Sequence, residues 1–68
     1  MTYHYNGYSA IIRPVRYPEN HKALYWKYEI YDEDTLLLDG HDVDSQAARI
    51  TVEAHIDWLI ADDRRLAA

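Results

Sequence analysis

The segment from Ala23 to Tyr31 alternates with a period of two, and this constrains the chain more than any other feature. Leu24, Trp26, Tyr28 and Ile30 fall on one side of an extended backbone, and Tyr25, Lys27, Glu29 and Tyr31 on the other. Successive side chains of a strand point to opposite faces, so the pattern predicts one half-buried strand with a core face and an outer face. The more apolar set, Leu24 to Ile30, is the candidate core face.

Turn residues divide the chain around that strand. Asn6-Gly7 stands between Tyr3-His4-Tyr5 and Tyr8-Ser9-Ala10. An Asn-Gly pair tolerates the positive φ angles of a type I′ turn, which predicts a hairpin with strands near Thr2 to Tyr5 and from Tyr8 to about Tyr17. Pro14 has no N–H for a ladder, so the second half of the longer strand is expected at an edge or a bulge. Pro18-Glu19-Asn20 interrupts the pattern, and Asp32-Glu33-Asp34-Thr35 forms a polar turn. Leu36-Leu37-Leu38 then reads as a short strand that stops at Asp39-Gly40.

The part after Asp44 fits two periods. Ile50, Val52, Ala54, Ile56 and Trp58 alternate with polar residues, as in a strand. Asp44 or Ser45 is a suitable N-cap, however, and the length of the run and its alanines favour a helix from about Ser45 to Ala61, with continuation to Leu66 open. On that helix Arg49, Glu53 and Asp57 share a polar stripe beside Ala48, Val52, His55 and Leu59. The predicted fold is α+β: a small antiparallel β-sheet of three to four strands, order β-β-β-β-α, with one C-terminal helix packed on one face. Trp26 and Trp58 are both expected in its core.

At 68 residues the chain is one domain, 1–68, with a core that supplies only a few kcal/mol of net stability. It has no cysteine for a disulfide or a thiolate metal site, which leaves aromatic packing or self-association as compensation. Seven Tyr, two Trp and no Phe suit a sheet that is wet or partner-covered on one face, so a homodimer is one expectation. No stretch reaches the ~20 apolar residues of a membrane span, and MTYHYNGY lacks the features of a signal peptide. The cytoplasm, a host cell's if the chain is phage-encoded, is the expected location.

Catalytic chemistry finds few anchors. Ser9 falls in a predicted strand, Ser45 reads as a cap, and neither sits in a nucleophile elbow. Thr2 stands where small tautomerases carry their N-terminal proline. His4, His21, His41 and His55 are dispersed, with no pair at a spacing that shares a helix face. The oxygen-rich run Asp39-Gly40-His41-Asp42-Val43-Asp44 lacks the register of a calcium loop. The chain is therefore expected to be no enzyme and to hold no metal or cofactor.

Charge carries more information. The formal net charge of -5 divides unevenly, with +3 over residues 1–28 and -8 over 29–68. Seven acids, Glu29, Asp32, Glu33, Asp34, Asp39, Asp42 and Asp44, fall within sixteen residues that hold no lysine or arginine. Such a run either solubilises an edge or presents carboxylates where a basic groove expects phosphates. The second possibility makes a protein with a basic, nucleic-acid-handling surface the expected partner, with these seven acids as the binding residues. Tyr25, Lys27 and Tyr31 on the outer face, with Arg13 and Arg16 nearby, could instead stack and neutralise a single strand. The negative net charge and Glu29 between them weigh against direct nucleic-acid binding.

Two resemblances bear on this. The short acidic chain, opening Tyr3-His4-Tyr5-Asn6-Gly7-Tyr8, resembles small proteins of phages and mobile elements, anti-CRISPR inhibitors among them. That resemblance implies a non-enzymatic inhibitor with an acidic binding face. Residues Leu24 to Ile60 are also similar to the HicB-like antitoxin domain, with Leu36-Leu37-Leu38-Asp39-Gly40 followed by Asp44-Ser45-Gln46-Ala47-Ala48 opening a helix. That one implies neutralisation of a small RNA-cleaving toxin.

Overall fold

A computed structural model describes the backbone of residues 1–67 and the side chains of residues 1–19 and 24–63. Four strands, β1 (Thr2–Tyr5), β2 (Tyr8–Tyr17), β3 (Asn20–Asp32) and β4 (Thr35–Asp42), precede one helix, α1 (Ser45–Ala67). The strands form an antiparallel meander in sequence order, β1-β2-β3-β4, and α1 packs on one face. This is the α+β arrangement that the alternation and turn signals predict.

The Asn6-Gly7 turn forms as its chemistry requires, with φ of 49° and 91°. Pro14 is accommodated by strand length. Ile12 donates its N–H toward β1, to the Met1 carbonyl at 2.8 Å. Pro14, two residues on, faces the same side, where β1 has no residue left to pair with it. A missing donor there breaks no ladder bond.

Register places Ala10, Ile12 and Pro14 opposite Ile30, Tyr28 and Trp26, on the side that α1 covers. Ala10, Ile12, Tyr28 and Ile30 are buried there against Ala48, Val52 and Ile56 of the helix. The helical spacing of the last three, four residues each, keeps one narrow stripe on the sheet. Arg49 adds a tie to β1, its guanidinium 5.2 Å from the Tyr3 ring centre.

Three expectations change. Trp58 is not in the core: it is 63% exposed. It lies two residues from Ile56, about 200° around the helix, so the stripe that buries Ile56 turns Trp58 outward. Trp26 does pack against the core, half-buried. β4 does not stop at Asp39-Gly40 but continues to Asp42, because Gly40 stays in register with Tyr28. Leu24, set on the candidate core face, is 41% exposed. The helix continues past Ala61 as the sequence allows, to Ala67, one residue beyond Leu66.

The molecule is elongated, 49 × 20 × 16 Å with a radius of gyration of 13.6 Å. A compact chain of this length has a radius near ~11 Å. No described helix is long and apolar enough to cross a membrane.

Candidate functional site

The acidic run is distributed along the edge strand β4. Glu33 and Asp34 form the exposed β3–β4 turn, and Asp32, also exposed, ends β3 beside it. Asp39 is exposed on the face opposite α1, and Asp42 is half-buried at the far end of the strand, opposite Trp26. The strand's eight residues span about 25 Å at ~3.4 Å per residue, so the turn acids and Asp42 lie at opposite ends of one edge.

Two of the seven acids have structural partners. Glu29 lies on the helix-free face, its side chain only 17% exposed, with the Arg13 guanidinium 3.8 Å away. The Tyr31 hydroxyl donates to its Oε2 at 2.9 Å. That bond stabilises the protonated phenol, and with desolvation and the Glu29 charge it raises the Tyr31 pKa. Glu29 and Asp39 are directly opposed across β3 and β4, a like-charge pair that Arg13 and Tyr31 relieve. Asp44 is the N-cap of α1: its carbonyl accepts from Ala48 N at 3.0 Å and its Oδ1 from Ala47 N at 2.7 Å.

Among the described residues no cation stands within ion-pair distance of Asp32, Glu33, Asp34 or Asp39. Asp42 and Asp39, after burial, contribute to a raised pKa at Tyr28. Glu33 has a left-handed backbone, φ 54°. That conformation costs an L side chain roughly 1–2 kcal/mol and suits glycine or asparagine.

The helix-free face carries a second feature. Tyr17 and Tyr25 pack with ring centres 5.0 Å apart, and His41 meets Tyr25 edge-on at 5.6 Å. Lys27 lies between Arg13 on β2 and His41 on β4 in the register. Tyr31 stands apart from this cluster, beside Glu29. His4 is held by Ser9 at 3.1 Å, and His55 is half-buried on α1. The side chain of His21 lies outside the described residues. Among the described residues, no group of three or more His, Asp or Glu side chains converges as a metal site would.

The third feature has no counterpart in the sequence expectations. An apolar groove of about 780 Å³ runs between β4 and α1, floored by Leu37 and Leu38 and walled by Ile50, Ala54, Trp58 and Leu59. Among the described residues, Thr51, His55 and the indole N–H of Trp58 are its polar groups. Its sequence signal is a second apolar stripe on the helix, Ile50, Ala54 and Trp58 at four-residue spacing, together with the bulge that turns Leu37 out of register.

No known protein family, curated protein or solved structure matches the chain.

Proposed function

We propose that the chain is a non-enzymatic acidic interaction protein that occupies a basic, nucleic-acid-binding surface of a partner protein, as an inhibitor of the anti-CRISPR kind does. The observation that carries this reading is Glu33, a carboxylate at a backbone position suited to glycine, between two more acids that no described cation neutralises. Residues held in strained backbone conformations cluster at functional sites. Asp32, Glu33, Asp34 and Asp39 are the docking carboxylates. Glu29 and Asp44 hold Arg13 and the helix start, and contribute field rather than contacts. The alternative is a HicB-like antitoxin that neutralises a small RNA-cleaving toxin.

Affinity capture from a bacterial lysate tests this, run with the natural chain and with Asp32→Asn, Glu33→Gln and Asp34→Asn combined. The reading requires a recovered protein that binds nucleic acid, is released by added DNA or RNA, and is lost as salt rises, because exposed charges are screened within ~8 Å at physiological ionic strength. The triple variant should bind it more slowly. Recovery of the same protein by the variant, at equal yield and salt sensitivity, overturns the reading.

The Tyr17–Tyr25–His41 cluster beside Lys27 favours a second reading, a stacking platform for single-stranded nucleic acid. Glu29 and Asp39 on the same face oppose it. Salt-sensitive binding of an oligonucleotide by the isolated chain, abolished by Tyr25→Ala, would establish this reading in place of the first.

A further inference from the structure

The Asn6-Gly7 turn that closes the first hairpin also carries covalent chemistry. Asparagine is a thermolabile residue, most so before glycine, whose backbone nitrogen no Cβ shields. That nitrogen can attack the asparagine Cγ. The new N–Cγ bond closes a five-membered succinimide, and the side-chain nitrogen takes up the displaced proton and leaves as ammonia. Water then opens the ring at either carbonyl, giving aspartate, or isoaspartate with the main chain routed through Cβ and Cγ. Water is the one co-reactant.

Three observations favour this reaction at Asn6. The first is access. Asn6 and Gly7 are both exposed, and nothing stands within 4 Å of the place a Cβ on Gly7 would occupy. Among the described residues no hydrogen bond holds the Asn6 side-chain amide.

The second is the strand beside it. Ring closure needs Asn6 to rotate out of its left-handed turn conformation, φ 49°, so the hairpin must open locally. β1 is four residues long, lies at the sheet edge and pairs with β2 alone. Short edge segments open at a fraction of the cost of global unfolding.

The third is contrast within the chain. The other asparagine, Asn20, precedes His21, whose side chain hinders attack by its nitrogen. The other glycine, Gly40, follows Asp39 inside the paired β3–β4 ladder, and the Tyr28 phenol lies over it. Exposure, a glycine successor and an edge position coincide at Asn6.

We propose that Asn6-Gly7 is a self-modifying site, at which the chain converts to aspartate and isoaspartate and thereby loosens β1. Isoaspartate adds a methylene to the main chain of a two-residue turn, which leaves no slack between the paired residues Tyr5 and Tyr8. β1 then loses the register that sets Tyr3 opposite Ala10. The bond from the Tyr5 hydroxyl to Asp57, 3.0 Å, and the packing of Arg49 over the Tyr3 ring go with it.

Incubation of the full chain at neutral pH and body temperature tests this, followed by intact mass, ammonia release and enzymatic methylation of isoaspartate. The natural chain should gain the mass that replacing an amide NH2 by OH brings, and fragment mapping should place the change at Asn6. Asn6→Gly, whose Gly-Gly pair still suits the turn, should gain none. The isoaspartate form, separated by chromatography, should unfold at lower denaturant than the natural chain. The aspartate form should stay close to the natural midpoint, because aspartate tolerates the left-handed conformation. A synthetic Tyr3 to Ser9 peptide supplies the unrestrained rate, and the full chain should convert more slowly. A full chain that stays intact while the peptide converts overturns the proposal, as does conversion mapped to Asn20 or Asp39, or an isoaspartate form with an unchanged midpoint. None of these outcomes bears on the acidic docking reading, which is read from the Asp32–Asp34 variant.

Discussion

The phenol of Tyr28 lies over the backbone of Gly40, its cross-strand neighbour, in the space that a Cβ would fill. Gly40 has no positive φ to maintain, so its role is steric. Tyr28 is buried among Ile12, Ile30 and the helix and has little freedom to withdraw. Gly40→Ala should therefore destabilise the fold by about 1–3 kcal/mol, the range for overpacking. Chemical denaturation of the two forms measures the difference, and an unchanged midpoint would show that the ring moves aside.

At Glu33 the effect should have the opposite sign. Glycine adopts the left-handed conformation without steric cost, so Glu33→Gly should raise stability by up to about 1 kcal/mol while removing one docking carboxylate. Thermal unfolding and partner capture, measured on the same variant, should move in opposite directions.

The helix supplies a paired test. Ile56 is fully buried and Trp58 is 63% exposed. Ile56→Ala should cost about 2–5 kcal/mol, as a core truncation does. Trp58→Ala should cost less than about 1 kcal/mol at concentrations where the chain is monomeric, despite removing the larger side chain. Equal losses would place Trp58 in the core after all.

Alkaline pH should weaken the fold through its tyrosines. Tyr3 and Tyr28 have pKa values raised first by burial, while Tyr5 and Tyr31 are raised first by hydrogen bonds to Asp57 and Glu29. A raised folded pKa means the fold favours the neutral phenol. The stability this contributes is fully present below the ordinary tyrosine pKa of about 10 and is lost as pH rises through the higher folded values. Stability should hold from neutrality to about pH 10 and fall above it. Denaturant midpoints across that window, with tyrosinate absorbance followed in parallel, provide the check.

Much of the fold is legible in the sequence because its signals are local. Period-two alternation orients β3, Asn6-Gly7 sets the first hairpin, and Asp44 starts the helix as an N-cap should. The placement of Trp58 was not legible, since hydrophobicity alone gives no weight to the 200° that separates it from Ile56. The β3–β4 turn hid its geometry, because Glu33 has none of the composition that marks a positive φ. Of the acidic site, sequence supplied the run but not its division. Whether a carboxylate caps a helix, binds Arg13 or remains free depends on neighbours that the sheet brings across strands.

Strand order following chain order has a consequence during synthesis. All residues of the sheet's apolar face, including Ala10, Ile12, Tyr28 and Ile30, leave the ribosome before Ala48, Val52 and Ile56, which cover it. Each hairpin can close with its neighbour as it emerges, since every pairing is local in the chain. The sheet must then wait, uncovered, for the last third of the polypeptide. A nascent chain halted after Asp42 exposes the whole apolar face of an amphipathic sheet, and translation of the helix is the step that covers it.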